Sequence, residues 1–119
     1  MTEEEYNRMV DLLIKTTQAG NLKWIENKSR FSAIVNGCGI TLYPDYDPLI
    51  GNATYSLELS NPKGMVFNTY SVDELSDKSG YDRLDGLYAL VKDSVYQITE
   101  SERKILEGLE ELAMKKNIN

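Results

Sequence analysis

A chain of 119 residues, 41% apolar and 27% charged, can bury one core, and its net charge of −6 disfavours wholesale binding to nucleic acid or anionic lipid. A single cysteine, Cys38, excludes an internal disulfide and any multi-cysteine metal site, while the lack of histidine removes the commonest zinc ligand and general base. With no secretory pattern near Met1 and no apolar run approaching about 18 residues, one cytoplasmic domain over 1–119 is expected, outside any membrane.

Thr2-Glu3-Glu4-Glu5 reads as a capping box, with three acids at the positive end of a helix dipole. Tyr6, Met9, Val10, Leu13 and Thr17 recur at helical spacing, widened by Leu12 and Ile14, and Gly20-Asn21 should stop that helix. Leu22 to Glu26 alternates briefly as a first strand, and Asn27 to Arg30 is a polar turn. Phe31–Val35 and Cys38–Tyr43 flank Asn36-Gly37, the strongest short hairpin signal. A two-residue loop sets Val35 opposite Cys38, Ala33 opposite Ile40 and Phe31 opposite Leu42, all on one face.

Residues 44–53 are expected to form a ten-residue loop. Tyr55, Leu57 and Leu59 then alternate with polar residues, and Asn61-Pro62-Lys63-Gly64 supplies a type I turn with a glycine bulge. That turn predicts Leu59 opposite Phe67, Leu57 opposite Thr69 and Ser60 opposite Val66. Met65 and Phe67 would join the dry face, and Asn68 and Tyr70 the wet one. After a polar loop over 73–80, the period becomes helical from about Tyr81 through Leu84, Leu87, Val91, Val95, Ile98, Ile105, Leu109 and Leu112. One long helix of about 50 Å is expected, with a break near Thr99 as the alternative, since Thr99-x-x-Glu102 repeats the capping-box pattern.

The fold class is therefore α+β: an N-terminal helix, a five-stranded antiparallel meander and a long C-terminal helix, with both helices on one sheet face. Chemical motifs are weak. Asp45-Tyr46-Asp47 resembles the start of a calcium loop but fails at Leu49, Gly51 and Ser56, and Asp beside Pro is ordinary turn composition. Leu49-Ile50 should fold back on the sheet edge. Gly37-Cys38-Gly39 precedes no helix and is no phosphate loop. The acids Asp73, Glu74, Asp77, Asp82 and Asp85 read as a solvated surface and helix cap, and Cys38 and Trp24 as core. No catalytic residue, metal ligand or cofactor is assigned.

Leu13-x-x-x-Thr17, Gly20-x-Leu22-x-Trp24, the alternation Tyr55-x-Leu57-x-Leu59 before a glycine turn, and Leu84-x-x-Leu87-Tyr88 together resemble small uncharacterised proteins of bacteria and phages. The resemblance spans most of the chain, rests on structural motifs, and implies a small accessory or regulatory protein.

The expected role is a non-catalytic protein-interaction or regulatory protein, one form being an acidic antitoxin- or immunity-type blocker of a basic partner. The alternative is an enzyme or ligand-binding domain using Asp, Glu and Tyr groups. Nucleic acid ranks third, since only residues 23–30 offer a small basic patch beside Trp24. The candidate interaction surface comprises Ile34, Tyr43, Val66 and Tyr70 on the wet sheet face, and Ile105 and Leu109 on the last helix. The seam Ile98, Ile105, Leu109 and Leu112 extends past any sheet this chain supplies, so a homodimer through that helix is expected.

Overall fold

A computed structural model describes residues 1–115. It begins with α1 (Glu3–Gln18), whose capping box forms as expected: the Thr2 Oγ1 accepts from the Glu5 N–H at 3.1 Å, and the Glu5 carboxylate accepts from the Thr2 N–H at 2.9 Å. The other end closes where Gly20 turns left-handed at φ 73 and the Asn21 N–H donates to the Thr16 carbonyl at 3.0 Å.

Strand β1 (Ile25–Asn27) is shorter and later than the sequence predicts. Trp24 leaves the ladder for the core, where its indole N–H donates to Thr17 Oγ1 at 3.0 Å. A two-residue turn, Lys28-Ser29, leads into β2 (Arg30–Val35), and Asn36-Gly37 joins β2 to β3 (Cys38–Asp47). Phe31 pairs with Leu42, Ala33 with Ile40 and Val35 with Cys38, the expected register. The ten-residue loop over 44–53 is mostly ladder instead. Strand β3 continues to Asp47, which pairs with Asn52 of β4 (Asn52–Ser60). Only 48–51 turn, anchored by the Leu49 N–H on Asp47 Oδ1 at 3.0 Å. Leu49 does not fold back on the sheet edge; it is 92% exposed.

The turn into β5 (Val66–Asp73) has the expected chemistry, with the Gly64 N–H on the Asn61 carbonyl at 2.8 Å and Gly64 at φ 84. Ser60 meets Val66 as expected, but the pairing shifts at Leu59, which meets Asn68, so Leu57 meets Tyr70. Phe67 is the extra bulge residue, and one extra residue inverts the facing of everything beyond it. Phe67 is consequently exposed, and Met65, in the turn before the strand, is exposed as well. Tyr70 moves to the inner face and stacks on Tyr6 of α1, with ring centroids 4.9 Å apart.

The five strands lie in sequence order in one antiparallel sheet. Val10 and Leu13 of α1, with Leu84, Leu87 and Val91 of α2 (Lys78–Tyr96), form one buried cluster with Trp24, Phe31, Ala33, Leu42, Tyr55 and Leu57. Helix α2 starts earlier than expected because Asp77 Oδ1 caps it, accepting from the Gly80 N–H at 3.0 Å. The single long C-terminal helix does not form. Gln97 adopts φ 53, and α3 (Ile98–Met114) begins as a separate element. The Asp93 carboxylate takes both the Thr99 N–H and the Thr99 hydroxyl, in place of the expected Thr99–Glu102 box. An α+β chain with two C-terminal helices results.

Candidate functional site

Helix α3 is amphipathic. Ile98, Ile105, Leu109 and Leu112 fall on one side at helical spacing, with Leu106 and Ala113 at its margin, while Arg103 bridges Glu100 and Glu107 on the opposite side. Yet α3 has no buried residue, and every residue from Tyr96 to Lys115 is exposed; Ile105 stands at 63%. The molecule is correspondingly elongated, at 65 × 38 × 25 Å. A helix of this kind normally gains most of its stability from burying its apolar face against a neighbour.

The joint aims the helix. Asp93 Oδ1 accepts from Thr99 N and Thr99 Oγ1, each at 2.8 Å, which holds the Asp93 carboxyl below the usual aspartate range. Just before the joint, Tyr96 packs edge-on against Phe31 and donates its hydroxyl to Glu26, so its phenol pKa is pushed up to about 12.

A second feature lies at the far side of α1. Arg83 of α2 bonds to Asn7 and pairs with Asp11, which fixes the side of α1 that faces α2. Met9, Leu12 and Thr16 lie on the opposite side and, with Leu22, Val35 and Ile40, line an open, mainly apolar groove of about 720 Å³. Val35 shares the inner face with Ala33 but is 43% exposed, because no helix covers that end of the β2–β3 hairpin. Arg8 also lines the groove and makes no ion pair among the described residues. Glu5 lines it too, its carboxylate engaged by Thr2.

On the outer sheet face several polar side chains pair with one another. The Arg30 guanidinium lies 3.8 Å from the centroid of the Tyr43 ring and 3.7 Å from Glu58, while the Tyr43 hydroxyl donates to Glu58 at 2.8 Å. Burial, reinforced by that hydrogen bond, raises the Tyr43 phenol above its ordinary range. Ser32 pairs with Thr41 at 2.8 Å and Ser56 with Ser71 at 2.7 Å across the strands.

Of the six residues singled out from sequence, Ile105 and Leu109 lie together on the bare helix face. Ile34 and Val66 are exposed at one end of the sheet's outer face, in the row that runs through Gly39 and Ser60. Tyr43 is on that face but locked between Arg30 and Glu58. Tyr70 is on the other face, under Tyr6. The groove escaped the sequence reading because its walls come from α1 and a distant hairpin. Its one legible signal was Leu12, apolar yet off the main stripe of α1.

Acid–tyrosine pairs recur, as Tyr43–Glu58, Tyr55–Asp85 (2.6 Å) and Tyr96–Glu26, but each sits in a different place and none lines the groove. Burial, aided by Asp85, keeps the Tyr55 phenol protonated far above its ordinary range. Among the described residues no group of three or more Cys, Asp or Glu side chains is placed to hold a metal ion, and no helix is long and apolar enough to cross a membrane. Trp24, the aromatic of the small basic patch, is buried and unavailable for stacking on a base. No family model, curated protein or solved structure matches this chain.

Proposed function

We propose that this chain is a non-catalytic protein-interaction module whose docking element is α3. One observation carries the reading: an amphipathic helix is aimed away from the core by a specific capping contact, with its whole apolar side in water. Enzyme chemistry built on Asp, Glu and Tyr finds less support, since those groups meet in separate pairs rather than around one cavity.

The test is a double variant, Ile105→Glu with Leu109→Glu, compared with the unchanged chain. At a dilution where the unchanged chain is monomeric, both are expected to unfold at the same midpoint, because these side chains contact no core. Association adds stability only to the unchanged chain as its concentration rises. Association, whether sedimentation of the purified chain or capture of partners from its native source, should be lost in the variant. Association identical in both proteins would defeat the reading, as would a midpoint that falls like that of a core substitution.

A further inference from the structure

Resting on that reading of α3, we infer that its partner is a second copy of this chain, and that α3 of one copy seats in the groove between α1 and the β2–β3 hairpin of the other. Groove and helix complement each other in kind. The groove is an uncovered strip of core, with Val35 and Ile40 as its floor and Met9 and Leu12 as its wall. It lies beside α1 on the side opposite α2, where a third helix would continue the layer.

A chain cannot fill its own groove. A single residue, Gln97, separates α2 from α3, and Asp93 fixes the first turn of α3 through Thr99. Tyr96 anchors the end of α2 at Glu26 and Phe31, on the α2 side of the molecule. The joint and its capping contact therefore hold α3 where it stands, exposed along its length, and leave no slack to carry it into the groove of its own chain.

Charge agrees with this pairing. Glu102 interrupts the apolar arc of α3, lying one turn from Ile98 and from Ile105. Arg8 is the one cation lining the groove and has no ionic partner among the described residues, while the groove's own acid, Glu5, is engaged by Thr2. Size agrees too. A helix about 25 Å long and about 10 Å across, seated twice by reciprocal exchange, covers on the order of 1,000 Å² counted over both surfaces, the threshold that a biological interface should clear.

Sedimentation equilibrium at micromolar concentration tests this with the full chain. The wild type should approach twice its 13.5 kDa mass. Ile105→Glu removes the helix face and Leu12→Glu the groove wall. Each should sediment as a monomer, with an unfolding midpoint close to that of the other, because both side chains are exposed in the isolated chain. An equimolar mixture of the two variants keeps one of the two seats, since the intact helix of one meets the intact groove of the other, and should associate more than either variant alone. Arg8→Glu should likewise dissociate the pair, and adding Glu102→Arg to it should restore the dimer mass. A Leu12→Glu chain that stays dimeric would show that the helices pair with each other, overturning the groove assignment. So would a mixture that associates no more than either variant alone. A wild type at 13.5 kDa would overturn the second copy as partner, while leaving α3 as a docking element if captured partners still depend on it.

Discussion

One Asp93 oxygen accepts from both the backbone N–H and the hydroxyl of Thr99, each at 2.8 Å, and so reaches across the left-handed Gln97 from one helix to the next. The contact satisfies an N–H that the start of α3 would otherwise leave to water, and it is strongest while the carboxyl is ionised. Asp93→Ala should leave the core intact, speed hydrogen exchange over the first turn of α3 and blur the direction of that helix. Equal exchange in both proteins would count against the contact as the aiming device.

The same contact sets a pH dependence. The carboxyl of Asp93 is lowered by its bonds to Thr99, so the folded form releases its proton more readily than the unfolded form. The stabilisation is therefore complete above the ordinary aspartate value of about 3.9 and is lost as pH falls through the lower folded value. Nuclear magnetic resonance titration of the Thr99 amide should show its shift moving with that lowered midpoint, and Asp93→Ala should abolish the transition.

Phe31 is fully buried and meets the rings of Tyr88 and Tyr96 edge-on at 5.4 and 6.0 Å between centroids. Phe31→Ala should cost about 3–5 kcal/mol in denaturant unfolding. A loss below about 1 kcal/mol would remove Phe31 from the core.

The bulge at Phe67 makes a paired prediction. Phe67→Ala should change stability by no more than about 0.5 kcal/mol, because the ring is 63% exposed. Tyr70→Ala should cost roughly 1–3 kcal/mol, because it removes the partner of the Tyr6 ring. Reversed costs would mean that the strand lies in the opposite register.

Gly64 sits at φ 84 in the Asn61–Gly64 turn, where a β-branched residue is strained. Gly64→Val should lower stability by about 1–3 kcal/mol, read as a shift of the unfolding midpoint. An unshifted midpoint would show that the turn is of another type.

The parts of the fold legible in the sequence are those where local chemistry and burial agree. Asn36-Gly37 fixes both turn and register, and Thr2 with Glu5 fixes a helix start. Facing in β5 was not legible, because Asn68 and Tyr70 read as naturally on the wet side as Met65 and Phe67 read on the dry one, and only tertiary packing of Tyr70 on Tyr6 decides. The split of the last helix was half legible. The apolar steps run unbroken through Tyr96-Gln97-Ile98, and the contact that ends α2 joins Asp93 to Thr99, six residues apart, a spacing outside the local capping patterns. Ile105 and Leu109 could be read as one face, but where that face lands depends on a groove assembled from residues far apart in sequence.

The one-residue joint at Gln97 also divides the chain by how it comes apart. Residues up to Tyr96 share one buried cluster, whereas α3 contributes nothing to it, so in a lone chain the two should open independently. Trypsin has Arg103 and Lys104 available on α3, just past the joint. It should clip there early and leave a protected remainder that melts at nearly the intact temperature. Any condition that shields this cleavage marks α3 as occupied, and seating in the groove of a second copy should raise that temperature as well.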